Sequence, residues 1–472
     1  MMHLADAARA TSGHATLPER RFASVFSDSR RVEPGGLFVA LRGERFDGHD
    51  FVRQVLDAGA AAALVAADSA AAREGGGLPL VVVEDTRAAL RDLAAAWRRR
   101  FAIPVIAVTG SNGKTTVKEM TAAILAAAFG EDGRLATAGN LNNDIGLPLT
   151  VLRLRERHRT AVIELGMNHP GETAVLAAVA QATVALINNA QREHQEFMKS
   201  VAAVAEEHGA LITALASDGT AVINADDAFA GYWRGLAAGR RIRSFGLEAP
   251  ADVTCDWVPG QHGSRLDMRA GDRAARVELS ILGEHNVRNA LAAAAAAMAA
   301  AVPLDAVARG LAAFRPAKGR LQAKEGVAGA AVIDDSYNAN PDSVRAAIDV
   351  LAARPGHRVL VLGDMGEVGE QGGQFHDEVG GYAKSMGVDR LFTLGEMSRA
   401  ASGNFGSGAR HFDRVEDLVA ALRPELDGRV TVLVKGSRFM RMERVVDGIC
   451  PPAPKTVTEA APGGVAEKKN AA

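Results

Sequence analysis

The run VIAVTGSNGKTTVKEM, Val105 to Met120, carries the plainest chemistry in the chain. A short apolar strand feeds a glycine turn, and Lys-Thr-Thr opens a helix. Backbone N–H groups of Gly110, Ser111, Asn112, Gly113, Lys114 and Thr115 can surround phosphate oxygens at the positive end of that helix. Lys114 is placed to reach the β- and γ-phosphates and the Thr115 hydroxyl to sit on magnesium, with Thr116 in the same first turn. The general phosphate-loop spacing is G-x-x-x-x-G-K-S/T. Here Val108 stands at its first glycine, and Gly110 anchors the loop instead. A glycine turn with a surface lysine is the bland alternative; strand, turn, Lys-Thr-Thr and helix agree against it. The loop implies ATP or GTP, and the sequence lacks the N-K-x-D run that a GTPase uses to read its base.

A second strand, in AVIELGMNHPGE, ends at Glu164. A carboxylate at the C-terminal edge of a parallel strand faces the crevice where ligands bind and can hold magnesium. Alone it would more often be a solvated strand-end glutamate.

These groups need a parallel sheet to position them. Strands alternating with helices run the length of the chain and predict an α/β fold. LFVAL (37–41), AAALVAA (61–67) and LPLVVVE (78–84) read as strands, followed by a helix over 86–100. The pattern resets at PVIAV (104–108), with a helix over 115–129 and strands at 160–165, 183–188 and 220–224. Residues 253–279 alternate as antiparallel strands, and an Ala-rich helix covers 284–301. A third alternation begins near Arg315, with strands at 332–335, 358–364, 390–395 and 429–436. The division predicted is 1–98, 99–314 and 315–452, with a disordered tail at 453–472, where bulky apolar residues are few.

Composition limits the function. The chain has 472 residues with 54 basic and 56 acidic side chains, a net charge of −2, which argues against a protein that coats nucleic acid. Two cysteines cannot build a disulfide framework, which fits a reducing cytosol. The longest apolar run, Ala290 to Val302, falls short of the roughly 20 residues a bilayer needs, and no signal peptide is visible. A cytoplasmic protein without membrane insertion is expected, and the neutral composition suits a monomer.

Further motifs decide the family. ILGEHNVRNALAAAAAA places Asn286 and Asn289 on one helix face. KGRLQ contributes Arg320, and DDSYNANPDSVRAAI follows a strand and opens a helix. With TGSNGKTT these resemble the Mur ligase superfamily, which builds amide bonds in bacterial peptidoglycan precursors. SDSRRVEPGGLFVALRGERFDGHDF (27–51) resembles its uridine-nucleotide-binding domain. TAGNLNNDIGLPLTVL (137–152), GDMGEVGE (363–370) and LVKGSRFMRMERVV (433–446) resemble the branch that adds D-alanyl-D-alanine to UDP-N-acetylmuramoyl-tripeptide. The resemblance covers residues ~22 to 450, with signatures in order in all three regions. The D-N-P-R run of the diaminopimelate-adding branch is missing from the sequence.

The resemblance implies the three-domain Mur ligase architecture: a UDP-sugar-binding domain, a central P-loop domain and a Rossmann-like C-terminal domain. It also implies an ATP- and Mg2+-dependent ligase that works through an acyl phosphate. Lys114, Glu164, His194 and Arg320 would carry catalysis, with Thr115, Glu164 and His194 at magnesium. Asn286 and Asn289 would contact adenine and dock their helix, and Asp335 and Asn340 would reach the ribose or adenine end. Ser29 and Arg30 would contact UDP, and Asn142 and Asn143 the muramoyl-peptide part. Lys435, Ser437 and Arg438 would hold the dipeptide carboxylate, against the alternative of a structural strand-to-helix turn.

One departure stands out. Many family members carry a carbamylated lysine in the helix after His194, just before a glycine. Here His208 precedes Gly209, and no lysine lies between Lys199 and Lys318. No lysine carbamate is expected. Either Glu206 or Glu207 supplies the carboxylate, or His208 binds the metal, or Glu164 and His194 suffice. Folylpolyglutamate synthase shares the ATP core but lacks the DSRxxxPGxLFVAL region. A nucleotide-binding relative without catalysis is the rival from another class, and the missing lysine is its only support.

Overall fold

The computed structural model describes residues 1–74 and 77–451; the expected tail lies outside them. Among the described residues the chain builds three main sheets in sequence order. The N-terminal sheet runs His14–Ala15, Leu80–Val83, Ala62–Ala66, Leu37–Val39, Val25–Phe26, parallel except at its first pair. The central sheet orders Arg273–Leu279, Ser264–Ala270, Val253–Pro259, Arg241–Phe245, Thr220–Asn224, Val184–Ile187, Val105–Thr109, Thr160–Glu164 and Arg134–Ala136. Its last six strands are parallel, and residues 253–279 form the expected antiparallel end. The C-terminal sheet orders Gln322–Glu325, Ala331–Asp335, Val430–Lys435, His357–Gly363, Arg390–Leu394 and Ala409–Phe412, with only the first pair antiparallel.

Register brings the chemistry to one edge. Val105–Thr109 lies between its two parallel neighbours, with Glu164 opposite Val108 and Ile187 opposite Thr109. All three strands therefore end at the same level, and the segments that leave them share one crevice.

The helix Lys114–Phe129 starts where Gly113 turns left-handed, at φ 82°. Helices Glu284–Ala299 and Leu304–Ala313 pack on it. The Ala290–Ala297 stretch is fully buried, as a helix apolar all round must be. Small side chains permit that closeness: a Cβ on Gly310 would lie 2.3 Å from the Ile124 Cα.

Several short elements fall outside the pattern read from sequence. Strand Gln322–Glu325 has only Ala323 as an apolar residue, is half exposed, and exists because it pairs with Ala331–Asp335. Arg241–Phe245 opens on two exposed residues and lacks the apolar run of its neighbours. The segment 48–57 divides into a 3-10 turn, Gly48–Phe51, and a short α-helix, Val52–Asp57.

Candidate active site

A cavity of about 1100 Å³ opens between the central and C-terminal sheets and reaches the helix Thr86–Arg98 of the N-terminal part. The phosphate loop forms its floor. Gly113 has no room for a side chain, since a Cβ would meet Asn289 Oδ1 at 2.4 Å and Asn188 Nδ2 at 2.7 Å. Asn188 Nδ2 donates to Asn112 O and to Asn289 Oδ1, both at 2.8 Å, and Asn289 Nδ2 donates to Asn286 Oδ1 at 2.9 Å. A buried amide chain thus fastens the Ala-rich helix to the loop. This is the docking part of the role expected for Asn286 and Asn289. Both also line the cavity, beside His285, whose burial pushes the imidazole down to about 4 and keeps it neutral. Gly113→Ala should strain the left-handed turn and displace Asn289. We expect ADP affinity to fall by about tenfold or more, read by calorimetric titration, with the sheets intact by circular dichroism.

Lys114 Nζ donates to Ser111 O and to Glu193 Oε2, both at 3.1 Å. Thr115 Oγ1 donates to Glu164 Oε1 at 3.1 Å, and Asn142 Nδ2 donates to the same oxygen at 2.8 Å. Glu164 is 1% exposed, and its Oε2 has no hydrogen-bond partner. An orphaned carboxylate oxygen beside a phosphate-loop threonine suits a hard divalent cation, which takes oxygen ligands. Asn142 thus lies at the carboxylate. Asn143 instead accepts from Gly146 N at 2.8 Å, at the start of helix Gly146–Val151.

The sequence reading missed Glu193, which is buried next to the expected His194. Burial opposes its charge, but the Lys114 ammonium, and then His208, hold its carboxyl down at about 2. His208 is fully buried, with Nε2 3.0 Å from Glu193 Oε1 and Nδ1 3.0 Å from Thr109 Oγ1. Glu206 and Glu207 do not supply a carboxylate here. Glu206 is exposed, and Glu207 accepts from Gly171 N and Thr173 N at 2.8 and 2.7 Å, at the start of helix Glu172–Ala180.

His194 bridges toward the C-terminal sheet. Its Nε2 lies 3.7 Å from Glu193 Oε2, and its Nδ1 lies 2.7 Å from Glu367 Oε2 in the GDMGEVGE loop. Both residues are left-handed, at φ 49° and 57°. Next to them Arg192 binds Asp342 through Nη2 at 2.6 Å and Glu378 through Nη1 at 2.9 Å. Those carboxylates hold the Arg192 pKa above its ordinary value. Asn340 Nδ2 donates to Asn112 Oδ1 at 2.9 Å, which puts this cavity-lining residue against the phosphate loop. Asn340 also caps helix Pro341–Ala352. Arg192→Ala should weaken this closed arrangement by about 2 kcal/mol. Small-angle scattering should then report a larger radius of gyration in the free protein.

Arg320 lines the cavity, with its guanidinium 4.3 Å from the Tyr337 ring centroid. Asp335 accepts from Leu321 N at 3.1 Å and from Lys435 Nζ at 2.5 Å. Burial pushes the Asp335 carboxyl up against the pull of Lys435. Lys435 also donates to Asn338 O at 2.9 Å, so its charge is already matched. Ser437 is buried, donates to Ala339 O at 2.9 Å and accepts from Gly366 N at 2.7 Å. Arg438 is exposed and pairs with Glu443 at 2.9 Å. Lys435 and Ser437 lock a turn, with Lys435 on the cavity wall, and the Arg438 guanidinium lies 5.8 Å from the ring centroid of Tyr337, which also lines the cavity.

Ser29 and Arg30 lie away from the cavity walls. The exposed Arg30 binds Asp28 at 2.8 Å and holds that carboxyl down at about 2. In the adjoining loop His49 Nε2 accepts from Ala66 N at 2.9 Å, a structural tie.

Three family models match the chain: the Mur ligase family catalytic domain at 21–98, the Mur ligase middle domain at 108–297, and the Mur ligase glutamate ligase domain at 319–438. An Escherichia coli protein named UDP-N-acetylmuramoyl-tripeptide--D-alanyl-D-alanine ligase is 42% identical over 427 residues, 90% of this chain and 92% of that protein. The crystal structure of MurF from Acinetobacter baumannii superposes with TM-score 0.87 at 34% identity, covering 94% of this chain and 97% of that one. MurF ligase from Thermotoga maritima in complex with ADP gives TM-score 0.80 at 27% identity, with 90% and 96% covered.

Proposed function

The chain belongs to the Mur ligase family, and from that premise we infer that it joins D-alanyl-D-alanine to UDP-N-acetylmuramoyl-tripeptide at the expense of ATP. The observation that carries this reading is the crevice floor. A phosphate loop with Lys114 and Thr115 faces a buried Glu164 that keeps one unpartnered oxygen.

The chemistry runs in two steps. The tripeptide's terminal carboxylate attacks the γ-phosphate of ATP, giving an acyl phosphate and ADP. The dipeptide amine then attacks that carbonyl, an amide bond forms, and phosphate leaves. The first step asks the protein for positioning and neutralisation of charge more than for covalent chemistry. Lys114 and the loop N–H groups would meet the phosphates. Thr115, Glu164 and His194 would hold magnesium, which supplies further positive charge there. Arg320, from the far wall, would meet the transferred phosphoryl group, and Asp335 fixes the backbone beside it at Leu321. Asn340 would close on the loop through Asn112. Asn142 would stand where the peptide carboxylate approaches Glu164, with Asn143 shaping its turn. Ser29 and Arg30 would take the uridine diphosphate end.

We assign 1–98 to the sugar nucleotide, 99–314 to ATP, and 315–452 to the dipeptide. The site works as a monomer in the cytoplasm. Among the described residues no helix is long and apolar enough to cross a membrane.

The test is phosphate release from ATP with UDP-N-acetylmuramoyl-tripeptide, with and without D-alanyl-D-alanine. Release that requires both peptide substrates is expected. Bound ATP without release would favour a nucleotide-binding protein without catalysis.

A further inference from the structure

Glu193 has no role in the mechanism above, yet it occupies the crevice floor. Its side chain is 5% exposed, and it neutralises Lys114 from the loop that follows strand Val184–Ile187. A nucleotide phosphate at the loop would compete with it for the Lys114 ammonium, and where the phosphate wins that contact is lost. Oε2 of Glu193 would then be a buried carboxylate oxygen without a cation, an unfavourable state unless a proton or another cation takes the place. His194 Nε2 lies 3.7 Å from that same oxygen. Glu164 Oε2, beside Thr115, is already buried and unpartnered. The start of helix Lys114–Phe129 is thus flanked by two carboxylates, each with an oxygen available to a cation once nucleotide binds.

The Glu193 carboxylate is also held from behind. With Glu193 ionised, His208 donates from Nε2 to Oε1, which leaves Nδ1 to accept from the Thr109 hydroxyl. A histidine used in this way fixes the orientation of a metal-binding carboxylate. His208 stands where the family resemblance implies a lysine carbamate, so a fixed carboxylate here would need no carbon dioxide.

The family resemblance implies a second magnesium at His194, and we propose that in this chain Glu193 supplies its carboxylate in place of the lysine carbamate, with His208 as the positioning residue for Glu193. This rests on reading the crevice as an ATP site. Among the described residues no three His, Cys, Asp or Glu side chains cluster as a metal site by themselves, so phosphate oxygens must complete the coordination. That suits magnesium, which binds through one or two protein groups plus substrate phosphates.

The experiment titrates Mn2+ into the full chain by electron paramagnetic resonance, with a saturating non-hydrolysable ATP analogue. The wild type should bind two Mn2+ with the analogue and neither tightly without it. Glu193→Gln should bind one. His208→Asn should keep two but weaken the second by about tenfold or more. Circular dichroism checks the fold. If Glu193→Gln does not fold, Glu193→Asp and His208→Asn decide, and unchanged second-site affinity in both overturns the proposal. So does a single Mn2+ in the wild type, or a folded Glu193→Gln that binds both as tightly. Dipeptide-dependent phosphate release with Mn2+ binding unaltered in Glu193→Gln would leave the ligase reading standing and remove this one. Two Mn2+ without such release would do the reverse.

Discussion

Lys114→Ala should lower substrate-dependent phosphate release by about 1000-fold, comparable to removing a group aimed at developing charge in a preorganised site. The loop around it would survive, because Asn112 is held by Asn188 and Asn189, and the Lys114 bond to Ser111 O is one of several that fix the turn. Stability should respond in a way set by Glu193. In the wild type the Glu193 carboxyl sits at about 2, below an ordinary glutamate. Its contribution is therefore fully present above the unfolded value and lost as pH falls from about 4.5 toward 2. Without Lys114 the strongest opposing charge is gone, and burial pushes the carboxyl up. The folded variant then favours the protonated acid. Its stability deficit should be about 3 to 5 kcal/mol near neutral pH and shrink on acidification toward pH 5. Urea unfolding of both proteins at pH 7 and pH 5 measures this. A deficit that stays constant or grows toward acid would mean that Lys114 does not neutralise Glu193.

The parts of this site legible in sequence are those whose partners lie nearby in the chain. Lys114 and Thr115 follow their strand within one turn, and a strand pattern alone places Glu164 at the sheet edge. Asn286 and Asn289 share a helix face at a spacing of three, which the structure turns into a hydrogen bond. Glu193 and Arg192 were not legible, although their neighbour His194 was. Glu193 has meaning only beside Lys114, 79 residues away, and Arg192 only beside Asp342 and Glu378, 150 and 186 residues away. Local text gives no sign of such pairings. The same limit explains the strands that were missed: Gln322–Glu325 has no apolar alternation to announce it and is defined by its neighbour. The turn VKGSRF reads two ways in sequence, as an anion cradle or as a structural strand-to-helix turn, for the converse reason. A lysine, a glycine and a serine after a strand look like an anion cradle, until a carboxylate 100 residues earlier, Asp335, is found in place.

That last point has a measurable consequence. Lys435 is 4% exposed and Asp335 14%, so truncating the cation leaves a carboxylate stranded in the interior. Lys435→Met preserves length and packing while removing the charge, and should destabilise the fold by about 3 to 5 kcal/mol. Asp335→Asn combined with Lys435→Met should recover most of this, because the neutral pair leaves no stranded charge. The pair also couples to the active cavity. Asp335 accepts from Leu321 N, and Leu321 is left-handed at φ 49° next to Arg320. The single variant should therefore also impair phosphate release. A lysine kept for the dipeptide carboxylate predicts a different pattern: a higher KM for D-alanyl-D-alanine at unchanged stability, with no rescue from Asp335→Asn. Denaturation and dipeptide KM, measured together on both variants, separate the two roles. The 2.5 Å contact with Asp335 and the bond to Asn338 O favour the structural one.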